Sequence, residues 1–182
     1  MKIPNILTLL RVVLIPVFVV IYYLPYQWSP LASAAVFALA AITDWFDGYL
    51  ARRLNQTSPF GAFMDPVADK LMVATALVLL AETYGTFWIT VPAIVIIGRE
   101  IVISALREWM AELGKRADIA VSYVGKVKTT LQMLAILMML AATPYDLLSW
   151  SGIGALYLAA VLTLWSMYIY LKASWADLTD DI

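Results

Sequence analysis

Apolar runs of about twenty residues recur along the chain, separated by short polar or proline-marked breaks. A helix that crosses a bilayer needs about 20 mostly apolar residues. Repeated runs of that length therefore point to an all-α membrane protein. Composition agrees, with 63% hydrophobic and 14% charged residues among 182, against roughly 45–50% apolar and about 25% charged in soluble domains. No linker, low-complexity tract or repeat divides the sequence, so residues 1–182 read as a single membrane domain. The absence of Cys excludes disulfides. Arg11 interrupts the first apolar run and no small-residue cleavage site follows, so the N-terminus does not read as a cleavable signal.

Six transmembrane helices are expected. The first is capped by Asn5, with Pro4 limiting its backward extension, and runs to about Leu24. The second covers about Leu31 to Asn55, the third Gly61 to Glu82 and the fourth Phe87 to Leu113. A basic segment leads into the fifth, which ends near Thr143-Pro144, and the sixth covers about Gly152 to Lys172. All 12 Lys and Arg residues fall toward one side of this arrangement, while the loops on the other side carry only Glu82 and Asp146. By the positive-inside rule both termini and the basic loops are cytoplasmic. Trp28, Trp88 and Trp150 then mark the opposite interface as an aromatic belt.

The segment DWFDGYLARRLNQTSPFGAFMDPVAD, residues 44–69, carries the chemistry. Asp44 and Asp47 are spaced i, i+3, and Asp65 and Asp69 i, i+4, so each pair lies on one helix face. The polar turn at 54–59 folds the two helices antiparallel and brings the pairs together. Four crowded carboxylates repel unless cations hold them. With neither His nor Cys in the chain the ligand set is all oxygen, which selects Mg2+ or Mn2+ over zinc or copper.

Depth adds to this picture. Residues 31–43 span about 20 Å at 1.5 Å per residue. Similar counts place Asp69, Arg99 and Lys128 at one level in the cytoplasmic half of a core about 30 Å thick. Ionisable groups at that depth face a bundle interior or a wet cavity, so the bundle should enclose a polar chamber open to the cytoplasm. Arg99 and Arg107, about 80° apart around one helix, can point into one cavity. With Lys126 and Lys128 approaching from the fifth helix, they suit a small phosphorylated acceptor. The ordinary alternative is pairing with Glu100, Glu108 and Glu112. Gly48 and Gly61 offer close approach to a ligand or to a neighbouring helix, and Arg52 suits a diphosphate or an interfacial snorkelling role.

The same segment resembles the signature of the CDP-alcohol phosphatidyltransferases, D-x2-D-G-x2-A-R-x8-G-x3-D-x3-D. The matching residues are Asp44, Asp47, Gly48, Ala51, Arg52, Gly61, Asp65 and Asp69. The opening KIPNILTLLRVVLIP is also similar to that family, at Pro4, Asn5, Leu7, Thr8, Arg11 and Pro16. The helix-four run GREIVISALREW resembles its bacterial, glycerol-3-phosphate-using branch.

The resemblance implies transfer of a phosphatidyl group from CDP-diacylglycerol to sn-glycerol 3-phosphate in phospholipid biosynthesis, releasing CMP and giving phosphatidylglycerophosphate. It implies two divalent cations, with Asp44, Asp47 and Asp65 as core ligands, and Asp69 as a ligand of the second ion and general base. Gly48, Ala51, Arg52, Gly61, Asn5 and Thr8 are implied at the nucleotide and diphosphate, and Arg99, Arg107 and Lys126 at the acceptor phosphate. A homodimer in the bacterial inner membrane, surrounded by lipid and with no nucleic-acid partner, is also implied. The nearest alternative keeps the chemistry and changes the acceptor to inositol phosphate, serine or phosphatidylglycerol. A transporter or proton relay, and an intramembrane prenyltransferase, are the alternatives of other classes. A prenyltransferase spreads its Asp-rich motifs over distant helices, whereas one hairpin carries all four here.

Overall fold

A computed structural model describes residues 3–53, 59–112 and 123–175; within these, nothing is said of the side chains at 3–5, 7, 45, 47–53, 59, 60, 62, 123, 124 and 126. The described residues form six helices and no strand: α1 (Ile3–Tyr22), α2 (Ser29–Arg53), α3 (Pro59–Tyr84), α4 (Phe87–Glu112), α5 (Tyr123–Ala141) and α6 (Leu147–Ala173). By length and composition α4 and α6 are each apolar enough to cross a membrane. Shorter apolar stretches occupy Thr8–Tyr22, Ser29–Asp44 and Val127–Ala141.

Two boundaries differ from expectation. Helix α1 begins at Ile3 rather than at an Asn5 cap. Pro4 sits in its first turn, where a missing N–H removes no intrahelical bond and the fixed φ favours the helix. Helix α6 begins at Leu147, several residues ahead of Gly152, because Asp146 caps it and accepts a hydrogen bond from the Ser149 N–H at 2.7 Å.

The chain reverses tightly at the end of the bundle remote from the motif. Ser29 Oγ donates back to the carbonyl of Ile21, and to that of Tyr22 at 3.2 Å, tying the start of α2 to the end of α1. Gly85 turns α3 into α4 with φ +56°, a left-handed conformation that suits a residue without Cβ. At the same end the Tyr22 and Thr83 hydroxyls are hydrogen-bonded, as are those of Tyr84 and Ser149 at 2.6 Å, and Tyr145 donates to the Tyr84 carbonyl at 3.0 Å. These contacts gather the ends of α1 and α3 with the start of α6.

One buried apolar core runs through all six helices, with Phe18, Phe37, Leu77, Ile96, Ile136 and Leu156 among its fully buried members. A smaller cluster of Ile103, Leu106, Met110 and Tyr170 joins α4 to α6 nearer the other end. Large apolar side chains also face outward, including Val20, Leu39, Val78, Ile94 and Val161. That pattern suits an apolar surrounding rather than water.

Candidate active site

The site is built where the second half of α2 passes the beginning of α3. Asp44 and Asp65 reach one place from these two helices, and α1 supplies what lies between them. Arg11 Nη1 donates to Asp44 Oδ1, and Nη2 lies 3.2 Å from Asp65 Oδ1. Thr8, one turn before Arg11, donates its hydroxyl to the same Asp65 oxygen at 2.5 Å. The Arg11 side chain is 4% exposed, whereas those of Asp44 and Asp65 are 43% and 41% exposed. The guanidinium thus approaches from the closed side, and the carboxylates keep open faces for a ligand.

Asp69, one turn beyond Asp65, borders two spaces. On one side it shares a narrow gap with Arg11, Asp44, Ala68 and Met72. On the other it lines a cavity of about 430 Å³ between α3, α4 and α5. Polar groups of that cavity are Lys70, Glu100, Ser104, Lys128, Thr129 and Gln132, and the rest of the wall is aliphatic. Lys70 donates to Ser104 Oγ, which in turn donates to the Glu100 carbonyl at 2.6 Å. Glu100 Oε1 accepts from Arg99 at 2.7 Å and from Lys128 at 3.0 Å. One carboxylate oxygen so balances two cations.

Arg99 and Arg107 share a helix face, and that face turns to α6. Arg99 Nη2 donates to Ser166 Oγ at 3.3 Å, and the Arg107 guanidinium lies 5.5 Å from the Tyr170 ring centroid, within cation–π range. Neither lines the cavity beside Asp69, whose cationic walls are Lys70 and Lys128. Gly61 is buried in the first turn of α3. Asn5, Asp47, Gly48, Ala51, Arg52 and Lys126 lie on α1, α2 and α5, with their side-chain placement outside the described residues. Helical spacing alone singled out neither Arg11 nor Glu100 as part of the constellation. The signal for both is an ionisable residue inside an otherwise apolar run.

Among the described residues no three acidic side chains converge as a closed metal cage. The donor chemistry fits a hard cation nonetheless. Asp44 and Asp65 already share one positive charge, offer only oxygen, and face open space.

Comparison with known proteins gives the family. The CDP-alcohol phosphatidyltransferase family model matches residues 1–168, and the chain belongs to that family. It is 62% identical over 178 residues to the CDP-diacylglycerol–glycerol-3-phosphate 3-phosphatidyltransferase of Sodalis glossinidius (strain morsitans), covering 98% of this chain and 97% of that protein. It is 60% identical over 179 residues to proteins of the same name from Salmonella typhimurium (strain LT2) and Escherichia coli (strain K12), with 98% of each partner covered.

Proposed function

We propose that this chain is a phosphatidyltransferase that moves the phosphatidyl group of CDP-diacylglycerol onto sn-glycerol 3-phosphate, giving phosphatidylglycerophosphate and CMP. The observation that carries the reading is identity of 60–62% across almost the whole of relatives bearing that activity in their name. The meeting of Asp44 and Asp65 around one cation supplies the chemical setting.

In this reading all six helices cross a bacterial inner membrane, as a homodimer with both termini cytoplasmic. The polar end of each bundle is a chamber open to the cytoplasm. Supporting this arrangement, Trp28, Trp88 and Trp150 are exposed at the end remote from Asp44, and the outward surface is largely aliphatic.

Asp44, Asp47, Asp65 and Asp69 would hold two divalent ions, Mg2+ or Mn2+. When bound, such ions polarise the phosphoryl group and neutralise charge developing on CMP. Gly48, Ala51, Arg52, Gly61, Asn5 and Thr8 receive the nucleotide and diphosphate; Arg99, Arg107 and Lys126 are the acceptor-phosphate residues that the resemblance implies, although Arg99 and Arg107 turn to α6. Lys70 and Lys128 add positive charge to the cavity that Asp69 borders. The acceptor hydroxyl oxygen attacks the phosphorus that carries the diacylglycerol. The bond from that phosphorus to the CMP oxygen breaks, and CMP leaves with the bonding pair. The hydroxyl proton passes to the Asp69 carboxylate, the general base of the step.

Purified protein offered CDP-diacylglycerol with each acceptor separately tests the reading. CMP release with glycerol 3-phosphate alone is expected. Release with inositol phosphate, serine or phosphatidylglycerol instead would reassign the acceptor.

A further inference from the structure

Two carboxylates brought together from different helices repel unless a positive charge lies near them. Here that charge is Arg11, bonded to Asp44 through Nη1 and to Asp65 through Nη2. The fork geometry of a guanidinium lets one side chain hold two acceptors at once. Arg11 is buried, and the two carboxylates are open on their other face. A divalent ion entering from that face shares the two carboxylates with Arg11, whose positive charge opposes it. Arginine cannot relieve that opposition by losing its proton.

Resting on the reading that these aspartates bind divalent ions, we propose that Arg11 is a resident counter-cation. It holds Asp44 and Asp65 in register, and its charge competes with metal for them. It is a positioning residue with two opposed effects: it supports the metal-free protein and it weakens metal affinity. Thr8 separates charge from geometry, because it donates a neutral hydrogen bond to the same Asp65 oxygen.

The test uses full-length protein in detergent, without substrates. Free Mn2+ is followed by electron paramagnetic resonance, and melting temperature is recorded with and without Mn2+. Arg11→Gln should bind Mn2+ at least about tenfold more tightly, the low end of the 1–3 units by which a neighbouring charge shifts a carboxylate's affinity for a proton. It should melt lower than wild type without metal and gain more from saturating Mn2+. Arg11→Lys keeps the charge but loses the fork, so its affinity should fall between the two. Thr8→Val should not tighten binding, and tightening there equal to that of Arg11→Gln would overturn the charge argument. Unchanged or weaker Mn2+ binding in the Arg11 variants would overturn the competition. Should Arg11→Gln fail to fold, Arg11→Lys decides the matter by the same criterion. A wild type that binds no Mn2+ would overturn the metal reading itself. A wild type that binds, with Arg11 variants no tighter, overturns only the role given to Arg11.

Discussion

Lys128 Nζ lies 3.0 Å from Glu100 Oε1, joining α5 to α4 beside the cavity that Asp69 borders. The lysine side chain is 5% exposed and the glutamate 26% exposed, so Glu100 is what makes a buried ammonium tolerable. Removing one partner of a buried pair costs about 3–5 kcal/mol, much of it the charge left behind. Because Glu100 is partly exposed, Glu100→Gln should destabilise by about the low end of that range. Adding Lys128→Met should recover part of the loss, because Arg99 stays without its carboxylate. Melting temperatures of the two variants check this, and a double variant no more stable than the single one would contradict it.

Gly152 marks a close approach of α6 to α5. A Cβ there would lie 2.7 Å from Met139 Cγ, 3.2 Å from the Ala135 carbonyl oxygen and 3.3 Å from Met138 Cβ. Small residues let membrane helices pack at such distances. Gly152→Leu should cost about 1–3 kcal/mol or more by overpacking. Gly154→Leu, where a Cβ meets nothing within 4 Å, should be tolerated. Denaturant midpoints in detergent distinguish the two positions.

Asp146 makes a pH-dependent contribution. Hydrogen bonding to its charged form, first from the Ser149 N–H and then from Thr143, holds its carboxyl below the ordinary Asp range. The folded pKa is the lower one, so the stabilisation is complete above the unfolded pKa and is lost as pH falls through the folded one. Melting temperatures from pH 7 to pH 3 should therefore show Asp146→Ala below wild type at neutral pH, with the gap closing in acid. Asp146→Asn caps without titrating and should show a flatter profile than wild type. A gap between wild type and Asp146→Ala that does not change with pH would rule this contribution out.

The helices and the motif were legible because both depend on short-range pattern. Twenty-residue apolar runs announce helices, and Asp44/Asp47 and Asp65/Asp69 announce shared faces by their spacing. Helix starts were less legible. Asn5 reads as a cap yet lies within α1, whereas Asp146 caps α6. Side-chain pairing across helices was the least visible part. Arg11 meets Asp44 and Asp65 over separations of 33 and 54 residues. Spacing placed Arg99 and Arg107 on one face of α4, yet it carries no information on which neighbour that face meets. Their contacts with Ser166 and Tyr170 belong to the packing of α6.

Asp69 separates the demands on a ligand from those on a base. A ligand tolerates partial replacement with excess metal, whereas an amide cannot accept a proton. Asp69→Asn should bind CDP-diacylglycerol with near-normal affinity and lose at least about two decades of kcat, within the range for general-base assistance. Saturating Mn2+ should not restore the rate. Restoration would make Asp69 a ligand only.

Phosphatidyl transfer at the motif carboxylates predicts two products in equal amounts. The most direct measurement quantifies CMP and lipid product together by mass spectrometry, for wild type and Asp65→Asn, with CDP-diacylglycerol, glycerol 3-phosphate and Mg2+. Wild type should give CMP and phosphatidylglycerophosphate in equal amounts, EDTA should stop both, and Asp65→Asn should give neither while melting as a folded protein. CMP without phosphatidylglycerophosphate, or undiminished product from Asp65→Asn, would exclude phosphatidyl transfer at these carboxylates.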